Sequence, residues 1–445
     1  DLHSFPTRRS SDLFVTPLRG RSASPHESGR RTMPTVAVIG LGYIGLPTAA
    51  VLAKAGLDVV GVDVSPERVE AVNRGELPFV EEGLGEVVAA QVSAGRLQAQ
   101  AETPQADAYI VAVPTPFTGE DHEADLSYIE AAARRIAPRL TGDALVILES
   151  TSPPGTTEHM AATILGRRPD LSLDGSDGRP VVHFAHCPER VLPGRTMLEV
   201  VSNARIIGGL TPQAAQRAQD LYAVFCAGDL VLTDARTAEM AKLTENSFRD
   251  VNIAFANELS VICERMSIDV WELIDLANRH PRVNILRPGP GVGGHCIAVD
   301  PWFIVSAAPQ EARLIRTARQ VNDAKPGYVI GRVHQALEGR ESPTVAALGL
   351  TFKADVDDLR ESPALAIVRE LALSTPDAAI LAVEPNISGP PAALRDLDSV
   401  QMVGTREAIA RADVVLLLVD HREFRDLDPG MLTGRTVIDT RGAWR

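Results

Sequence analysis

Apolar and polar positions near the start of the chain predict a strand, a tight turn, a helix and a second strand. The first strand covers Thr35–Ile39, the turn 40–45, the helical pattern 46–55 and the second strand 59–63. Four more short apolar runs that suit buried strands follow, at 108–113, 144–148, 181–185 and 205–208. Because amphipathic segments separate these runs, a parallel sheet extending to about residue 210 is expected.

The pattern then changes to long helices. Residues 237–266 contain no Gly or Pro, so they could form one helix of about 30 residues, about 45 Å long. A helix of that length with more than one apolar face commonly bridges domains or packs against a partner subunit. A further helix is predicted at 311–324, ending before Pro326.

A second region of alternating strands and helices completes the chain, with strands predicted at 344–350, 379–383, 414–419 and 437–438 and a helix at 363–372. The sequence therefore predicts the α/β class, with two Rossmann-like doubly wound parallel-sheet domains joined by a central long-helix domain. The expected domain bounds are 33–232, 233–330 and 331–445. Residues 1–32 are expected to be a non-native, disordered leader, because 2–12 read like a translated sequencing adaptor and Met33 directly precedes the first strand.

Composition narrows the class of protein. A content of 45% hydrophobic and 23% charged residues is that of an ordinary globular protein, and the net charge of −14 disfavours nucleic acid as a partner. No apolar run is long enough to span a membrane, so no membrane partner is expected. The cysteines form no CxxC pair, so neither a disulfide framework nor a metal site is predicted.

The turn after the first strand is a candidate cofactor site. Residues Gly40-Leu-Gly-Tyr-Ile-Gly45 match GxGxxG, in which the glycines permit a tight turn, close approach of a pyrophosphate and close helix packing. Asp63 ends the second strand, where a carboxylate can accept from a ribose 2′-OH and repel a 2′-phosphate. NAD is therefore expected rather than NADP. Thr115 and Thr151 end later strands and are further candidates, with ordinary proline-containing turns as the alternative.

A cysteine in a glycine-rich segment is the candidate nucleophile. Gly293 and Gly294 precede Cys296, which His295 and Asp300 flank. A thiol combined with a nicotinamide site suggests an alcohol oxidised past the aldehyde, through a thioester, to an acid. The alternative is a structural cysteine buried in a tight turn.

Charged and amide side chains on the long helix support the first interpretation. Lys242, Asn246 and Arg249 are spaced i, i+4, i+7 and share one helical face. Such a face could present an ammonium and an amide to a developing oxyanion, although a solvated surface is the alternative. Arg282 or Lys353 could bind a diphosphate or carboxylate.

Six ordered segments resemble the UDP-glucose/GDP-mannose dehydrogenase family across essentially all of residues 33–445. They are VIGLGYIGLPT at 38–48, CPERVLPG at 187–194, KLTENSFR at 242–249, NRHPRVN at 278–284, GGHCIAVDPW at 293–302 and FKADVDDLRES at 352–362. The resemblance implies an NAD-binding domain first, a central dimerisation domain that carries the catalytic lysine and cysteine, and a C-terminal nucleotide-sugar-binding domain.

Residue roles follow from the resemblance together with the glycine fingerprint. The expected NAD-binding residues are Gly40, Gly42, Tyr43, Ile44, Gly45, Asp63, Thr115, Thr151 and Thr157. The expected nucleotide-sugar-binding residues are Arg190, Val191, Lys242, Asn246, Arg249, His280, Arg282, Gly293, Phe352, Lys353, Arg360 and Arg441. The expected catalytic set is Cys296 as nucleophile, Lys242 as proton donor and acceptor, Asn246, Asp300 and Glu149. UDP-glucose dehydrogenases carry a further glutamate where Pro193 stands here, so water activation would fall to Glu149 or Glu189.

The implied reaction is NAD-dependent, four-electron oxidation of the C6 alcohol of UDP-N-acetyl-D-mannosamine to the uronate, in the cytoplasm, by a homodimer, for cell-surface polysaccharide synthesis. The same reaction on UDP-glucose or UDP-N-acetylglucosamine is the nearest alternative. A two-electron dehydrogenase of the 6-phosphogluconate type and a catalytically silent nucleotide-sugar sensor are more distant alternatives.

Overall fold

A computed structural model describes residues 34–79, 81–119, 122–191, 194–294 and 296–445. The predicted leader, residues 1–32, lies outside the described residues. Pro34–Arg445 forms one compact unit, in which α/β, helical and α/β regions follow one another as predicted. None of the described helices combines the length and apolar character needed to cross a lipid bilayer.

The first region is built on short apolar strands joined by helices. Its elements are β1 Thr35–Ile39, α1 Gly45–Lys54, β2 Asp58–Val62, α2 Pro66–Asn73, α3 Leu84–Ser93, β3 Leu97–Gln100, β4 Ala108–Val111, β5 Phe117–Thr118, β6 Glu123–Ala124, α4 Ser127–Ile136, β7 Leu145–Leu148, α5 Thr156–Arg167, β8 His183–His186, α6 Thr196–Ser202, β9 Arg205–Gly209, α7 Pro212–Tyr222 and β10 Leu230–Asp234. Within the described residues, one sheet has the order β10-β9-β8-β7-β4-β1-β2-β3. Helices cover both faces of its centre, so β1, β4 and β7 are almost wholly buried.

The sheet differs from the prediction in one orientation. β8 pairs with β9 antiparallel, through Ala185 opposite Gly209 and His186 opposite Gly208, so the sheet is mixed rather than wholly parallel. A buried apolar strand reads the same in either direction, so the apolar pattern could not reveal the reversal. β3 and β10 were not predicted. β10 is half-polar and mostly exposed, and it extends the sheet beyond residue 210.

Four helices make the central region: α8 Ala235–Arg265, α9 Val270–Ala277, α10 Asp300–Ala307 and α11 Arg313–Leu337. α8 confirms the predicted long helix. It begins where the Asp234 carboxylate accepts from the Thr237 N–H at 2.9 Å, which satisfies one of the donors left free in the first turn.

The predicted end of the next helix before Pro326 is wrong, because α11 continues through that residue to Leu337. A proline inside a helix removes one backbone hydrogen bond and costs about 3 kcal/mol. Packing offsets the cost, since Val329 and Val333 beyond the proline are buried in the core of the C-terminal region. The proline ring itself packs near Gly291, upstream of Cys296.

The last region repeats the plan of the first. Its elements are β11 Thr344–Leu348, α12 Pro363–Ser374, β12 Ala379–Val383, β13 Val400–Met402, α13 Thr405–Arg411, β14 Val414–Leu417, α14 Arg422–Arg425 and β15 Thr436–Asp439. Its parallel sheet has the order β13-β12-β11-β14-β15, which matches β3-β2-β1-β4-β7. The likeness extends to detail, because Gly40 and Gly349 both follow the first strand with φ near +95°. Asp63 and Glu384 both follow the second strand and accept from the turn that comes after the first.

Candidate active site

The glycine fingerprint lies at the carboxyl edge of the first sheet and fits a bound pyrophosphate. A Cβ on Gly45 would lie 1.8 Å from the Gly40 carbonyl oxygen, so only glycine permits this closeness of turn and helix. A Cβ on Gly42 would meet nothing within 4 Å, so the backbone there is open to a ligand. α1 begins at Gly45, and a helix N-terminus favours negative charge.

Asp63 is fixed beside this turn. Its carboxylate accepts from the N–H groups of Leu41 at 2.8 Å and Ser65 at 3.0 Å, and from the Arg68 guanidinium at 3.0 Å. Burial alone would raise the pKa of Asp63, but these donors outweigh burial and lower it. An ionised acceptor therefore stands where an NAD ribose is expected.

The expected cofactor threonines occupy neighbouring loops after β4 and β7. The Thr115 hydroxyl donates to the Thr151 carbonyl at 2.6 Å and so joins the two loops. Thr157 is fully buried, and its hydroxyl and N–H both donate to Glu239 of α8, at 2.6 and 2.7 Å. The Thr157 side chain is thus held against α8, and its contact with NAD stays a prediction.

A cavity of about 840 Å³ opens between the three regions of the chain. Eleven of the residues that the sequence predicted line it, from loops and helices far apart in the chain. These are Tyr43, Arg190, Val191, Lys242, Asn246, Arg249, Gly293, Cys296, Phe352, Lys353 and Arg360. The structure thus brings the candidate thiol, the α8 face and the cations of the C-terminal region into one space.

The turn that carries Cys296 is shaped by the C-terminal region. A Cβ on Gly293 would lie 2.5 Å from the Glu361 carbonyl oxygen and 2.9 Å from Phe352, and Gly294 has φ +83°. The Gly294 N–H also donates to the Arg360 carbonyl at 3.2 Å. Two glycines are therefore required for the turn to pack this closely against the 352–362 segment.

The thiol of Cys296 is open to the cavity, yet the surrounding walls limit its hydration. This desolvation, followed by the charge of Asp300, raises the pKa of Cys296, while the cations Lys242, Arg360 and Arg249 act in the opposite direction. The thiolate form therefore depends on the cations that line the same cavity.

Asp300 lies behind Asn246 rather than in the cavity. It is 3% exposed and accepts from the Asn246 amide at 2.5 Å. Burial raises its pKa to about 6, against the opposing effects of this hydrogen bond and of Lys242. The pair fixes the orientation of an amide one helical turn from Lys242.

Three cations of the cavity have no acidic partner among the residues that the structure describes. Among the described residues, no carboxylate oxygen lies within 4.0 Å of a side-chain nitrogen of Lys242, Arg249 or Lys353. By contrast, Arg190 pairs with Glu245, and Arg360 pairs with Asp358 while stacking over Tyr43 at 4.8 Å. The unpaired cations suit a ligand with two or more negative charges.

Three of the predicted nucleotide-sugar-binding residues lie outside the cavity. His280 and Arg282 are exposed on the surface after α9. Arg441 pairs with Asp420 at 2.9 Å and lies close to Gly289.

Glu149, an expected catalytic residue, is not among the residues that line the cavity. It is wholly buried and accepts from Tyr222 at 2.7 Å and from Thr48 at 3.2 Å. Burial raises its pKa to about 7. The Glu149 carboxylate faces the protein interior rather than the cavity, and activation of water by Glu149 stays a prediction. Pro193, the site of the departure from UDP-glucose dehydrogenases, lies outside the described residues.

Several polar residues of the cavity wall were not predicted, among them Glu81, Glu82, Glu245 and Asn386. Glu245 could have been found, because it lies three residues after Lys242, and residues three apart share a helical face. Glu81 and Asn386 carry no such signal, since only the tertiary fold brings their loops to the cavity.

Comparison with known proteins identifies the family. Sequence profiles of the UDP-glucose/GDP-mannose dehydrogenase family match residues 34–226 as its NAD binding domain, 236–324 as its central domain and 346–445 as its UDP binding domain. The chain belongs to the UDP-glucose/GDP-mannose dehydrogenase family. The predicted family, the NAD cofactor and the class of NAD-dependent dehydrogenase are thereby confirmed.

Relatives within the UDP-glucose/GDP-mannose dehydrogenase family differ in their named sugars. The NDP-N-acetyl-D-galactosaminuronic acid dehydrogenase of Ralstonia nicotianae is 57% identical over 411 residues, covering 92% of this chain and 96% of its own length. The UDP-N-acetyl-D-mannosamine dehydrogenase of Escherichia coli is 54% identical over 420 residues, covering 92% and 99%. The solved structure of a UDP-D-ManNAc dehydrogenase from Pyrococcus horikoshii has a TM-score of 0.82 at 38% identity, covering 92% and 96%.

Proposed function

We propose that this dehydrogenase oxidises the C6 alcohol of a UDP-linked N-acetylhexosamine to the carboxylate. The observation that carries the proposal is the cavity itself, in which Cys296 shares one space with Lys242, Arg249 and Lys353. The unpaired cations suit a diphosphate, and the open thiol suits covalent capture of an aldehyde. The glycine fingerprint supplies the NAD site.

The chain's own residues divide the chemistry between them. NAD, when bound, accepts hydride in both oxidations. A water ordered by the Lys242 ammonium, one helical turn from Asn246, takes the proton of the C6 hydroxyl during the first oxidation. The Cys296 sulfur then bonds to the aldehyde carbon, and the second oxidation turns this thiohemiacetal into a thioester. Water attacks the acyl carbon, the carbon–sulfur bond breaks, and the acid leaves with the thiol restored.

Covalent capture keeps the aldehyde in the cavity between the two oxidations. The overall balance is one alcohol, one water and two NAD⁺ giving one carboxylate, two NADH and three protons. We propose UDP-N-acetyl-D-mannosamine as the sugar nucleotide, which the Escherichia coli and Pyrococcus horikoshii relatives support. The Ralstonia nicotianae relative supports an N-acetylgalactosamine nucleotide as the second candidate.

The test is to supply the purified protein with NAD and a panel of UDP-sugars and to measure NADH together with acid. The unaltered protein should yield two NADH per acid. Cys296→Ala should stop acid formation, while a fluorescence titration should show that it still binds UDP. Undiminished acid production by Cys296→Ala would refute the role of the thiol, and absence of turnover with every UDP-sugar would refute the proposed reaction.

We also propose a homodimer that forms through α8. Phe248, Phe255 and Ile262 recur every seven residues along this helix and are 69%, 53% and 44% exposed, so they form an apolar stripe that a second copy could cover. Phe255→Asp should then yield monomers in light scattering, whereas a dimer unchanged by this substitution would contradict the assignment.

A cytoplasmic location is proposed because free thiols such as that of Cys296 are kept reduced there. The domain bounds 33–232, 233–330 and 331–445 remain our proposed division.

A further inference from the structure

Arg190 is held in one orientation by residues from two regions of the chain. Its Nε donates to Glu245 Oε2 at 3.1 Å, its Nη2 lies 2.6 Å from Glu245 Oε1, and its Nη1 donates to the Ala204 carbonyl at 2.9 Å. A hydrogen bond and a second close contact to the same carboxylate restrain the plane of the guanidinium. Since Arg190 follows β8 and Glu245 belongs to α8, this pair links the first α/β region to the central helix.

The backbone of Arg190 is fixed as well. Its N–H donates to Glu189 at 2.7 Å, and its carbonyl accepts from Asn203 at 3.2 Å. Glu189 in turn pairs with the buried Arg205 at 3.0 Å. Hydrogen bonds to Glu189 and Asn203 therefore fix the backbone of Arg190, and the ion pair with Glu245 restrains its side chain.

Arg190 and Glu245 line the cavity that holds the candidate thiol. Glu245 is on the same helical turn as Lys242 and Asn246, and all three line the cavity that holds Cys296. Because C6 reacts at both Lys242 and Cys296 in the proposed function, the sugar ring would lie beside this turn. Lys353 and Asn386, on loops of the C-terminal region, line the same cavity and remain for the nucleotide.

Arg190 retains donors for a ligand after these bonds are counted. A guanidinium has five N–H groups. Glu245 accepts the one on Nε and lies against Nη2, and the Ala204 carbonyl accepts one on Nη1. Counted over the described residues, at least one N–H on each terminal nitrogen is left for a ligand hydroxyl or acetamido oxygen.

We infer that Glu245 is a positioning residue that, through Arg190, sets the selectivity of the cavity among N-acetylhexosamine nucleotides. By neutralising and orienting the guanidinium, Glu245 keeps it on the sugar instead of releasing it to the diphosphate. The inference rests on the proposed function and names the residue pair that reads the sugar. It concerns fit rather than stability, since the two side chains are 29% and 35% exposed and such pairs stabilise a fold little.

Glu245→Gln is the decisive variant, because it removes the charge and offers Arg190 an amide donor in place of one acceptor oxygen. The ratio of kcat/KM between the N-acetylmannosamine and N-acetylgalactosamine nucleotides of UDP should fall about tenfold, mainly through KM, since a rigid hydrogen-bonding site discriminates more strongly than a loose one. Affinity for UDP alone, measured by calorimetry, should not decrease. Glu245→Asp, which keeps the charge, should restore part of the selectivity.

Two comparisons separate positioning from a structural effect. Glu264→Gln breaks a similar pair on the same helix, with Arg332 at 2.7 Å, and should leave the selectivity unchanged. Adding Glu245→Gln to Arg190→Gln should cause no further loss, because Glu245 acts through Arg190.

The inference is overturned if Glu245→Gln lowers kcat/KM equally for every sugar nucleotide, if UDP binding weakens in parallel, or if the two substitutions are additive. The ratio of calorimetric affinities for the two sugar nucleotides supplies the same test without turnover. Failure of the proposed reaction therefore shows separately, as absent NADH from the unaltered protein.

Discussion

Asp300→Asn should make the protein more stable while impairing catalysis. Asp300 is 3% exposed, and its pKa is raised from 3.8 to about 6, chiefly by burial. The folded state therefore holds an ionised carboxylate at a cost of about 3 kcal/mol once the pH exceeds both values. An asparagine carries no charge, and its carbonyl oxygen can still accept from Asn246.

The gain should depend on pH in a defined direction. Below about pH 4 the carboxyl is protonated in both the folded and unfolded states, so the substitution should change little. Between pH 4 and 6 the unfolded carboxyl ionises first, and the cost to the folded protein grows. The expected stabilisation is about 3 kcal/mol at pH 8 and about half of that at pH 5.

The assay is thermal and urea unfolding of both proteins at pH 5 and pH 8, without NAD or sugar nucleotide. Asp275→Asn on α9 serves as a control, because its carboxylate is half exposed and should change stability by less than about 0.5 kcal/mol. An Asp300→Asn protein that is no more stable at pH 8, or equally stabilised at both pH values, would refute the reasoning. Loss of activity alone would not.

Two further predictions concern the thiol and the cofactor edge. Lys242→Met should slow alkylation of Cys296 by iodoacetamide at pH 8, because loss of the ammonium raises the thiol pKa further, whereas Asp300→Asn should accelerate it. Mass spectrometry of the alkylated peptide gives the rates, and equal rates in the three proteins would contradict the electrostatic account. Glu239→Ala should lower the free energy of unfolding by about 3 kcal/mol, because three donors at the start of α5, two of them from Thr157, lose a buried acceptor. Urea unfolding measures this loss. A change below about 1 kcal/mol would show that water replaces the carboxylate.

The elements of the fold could be predicted where local pattern decides. The long helix α8 followed from the absence of Gly and Pro over 30 positions, and the cofactor turn from its glycines and the following acid. Prediction failed where distant parts of the chain decide. Pro326 is an ordinary stop signal, but burial of Val329 and Val333 outweighs it. The reversed direction of β9 left no trace in the apolar pattern.

The site shows the same division. Lys242, Asn246 and Arg249 share a helical face that spacing alone reveals. The occupation of Thr157 by Glu239, 82 positions away, and the burial of Glu149 behind Tyr222 depend on tertiary packing. His280 and Arg282 lie on the surface, away from the cavity. Their separation from the cavity also depends on tertiary packing, which sequence alone could not show.

The fit of the Cys296 turn against the C-terminal region limits how such enzymes can be recombined. Gly293 and Gly294 lie so close to the 352–362 segment that the two surfaces are complementary in shape. A chimera that exchanged only the C-terminal region, to change the bound nucleotide, would place the Cys296 turn against a surface that it does not fit. A functional crossover must therefore carry residues 289–296 along with the new region, and the natural unit of exchange is set by this contact rather than by the linker between the two folds.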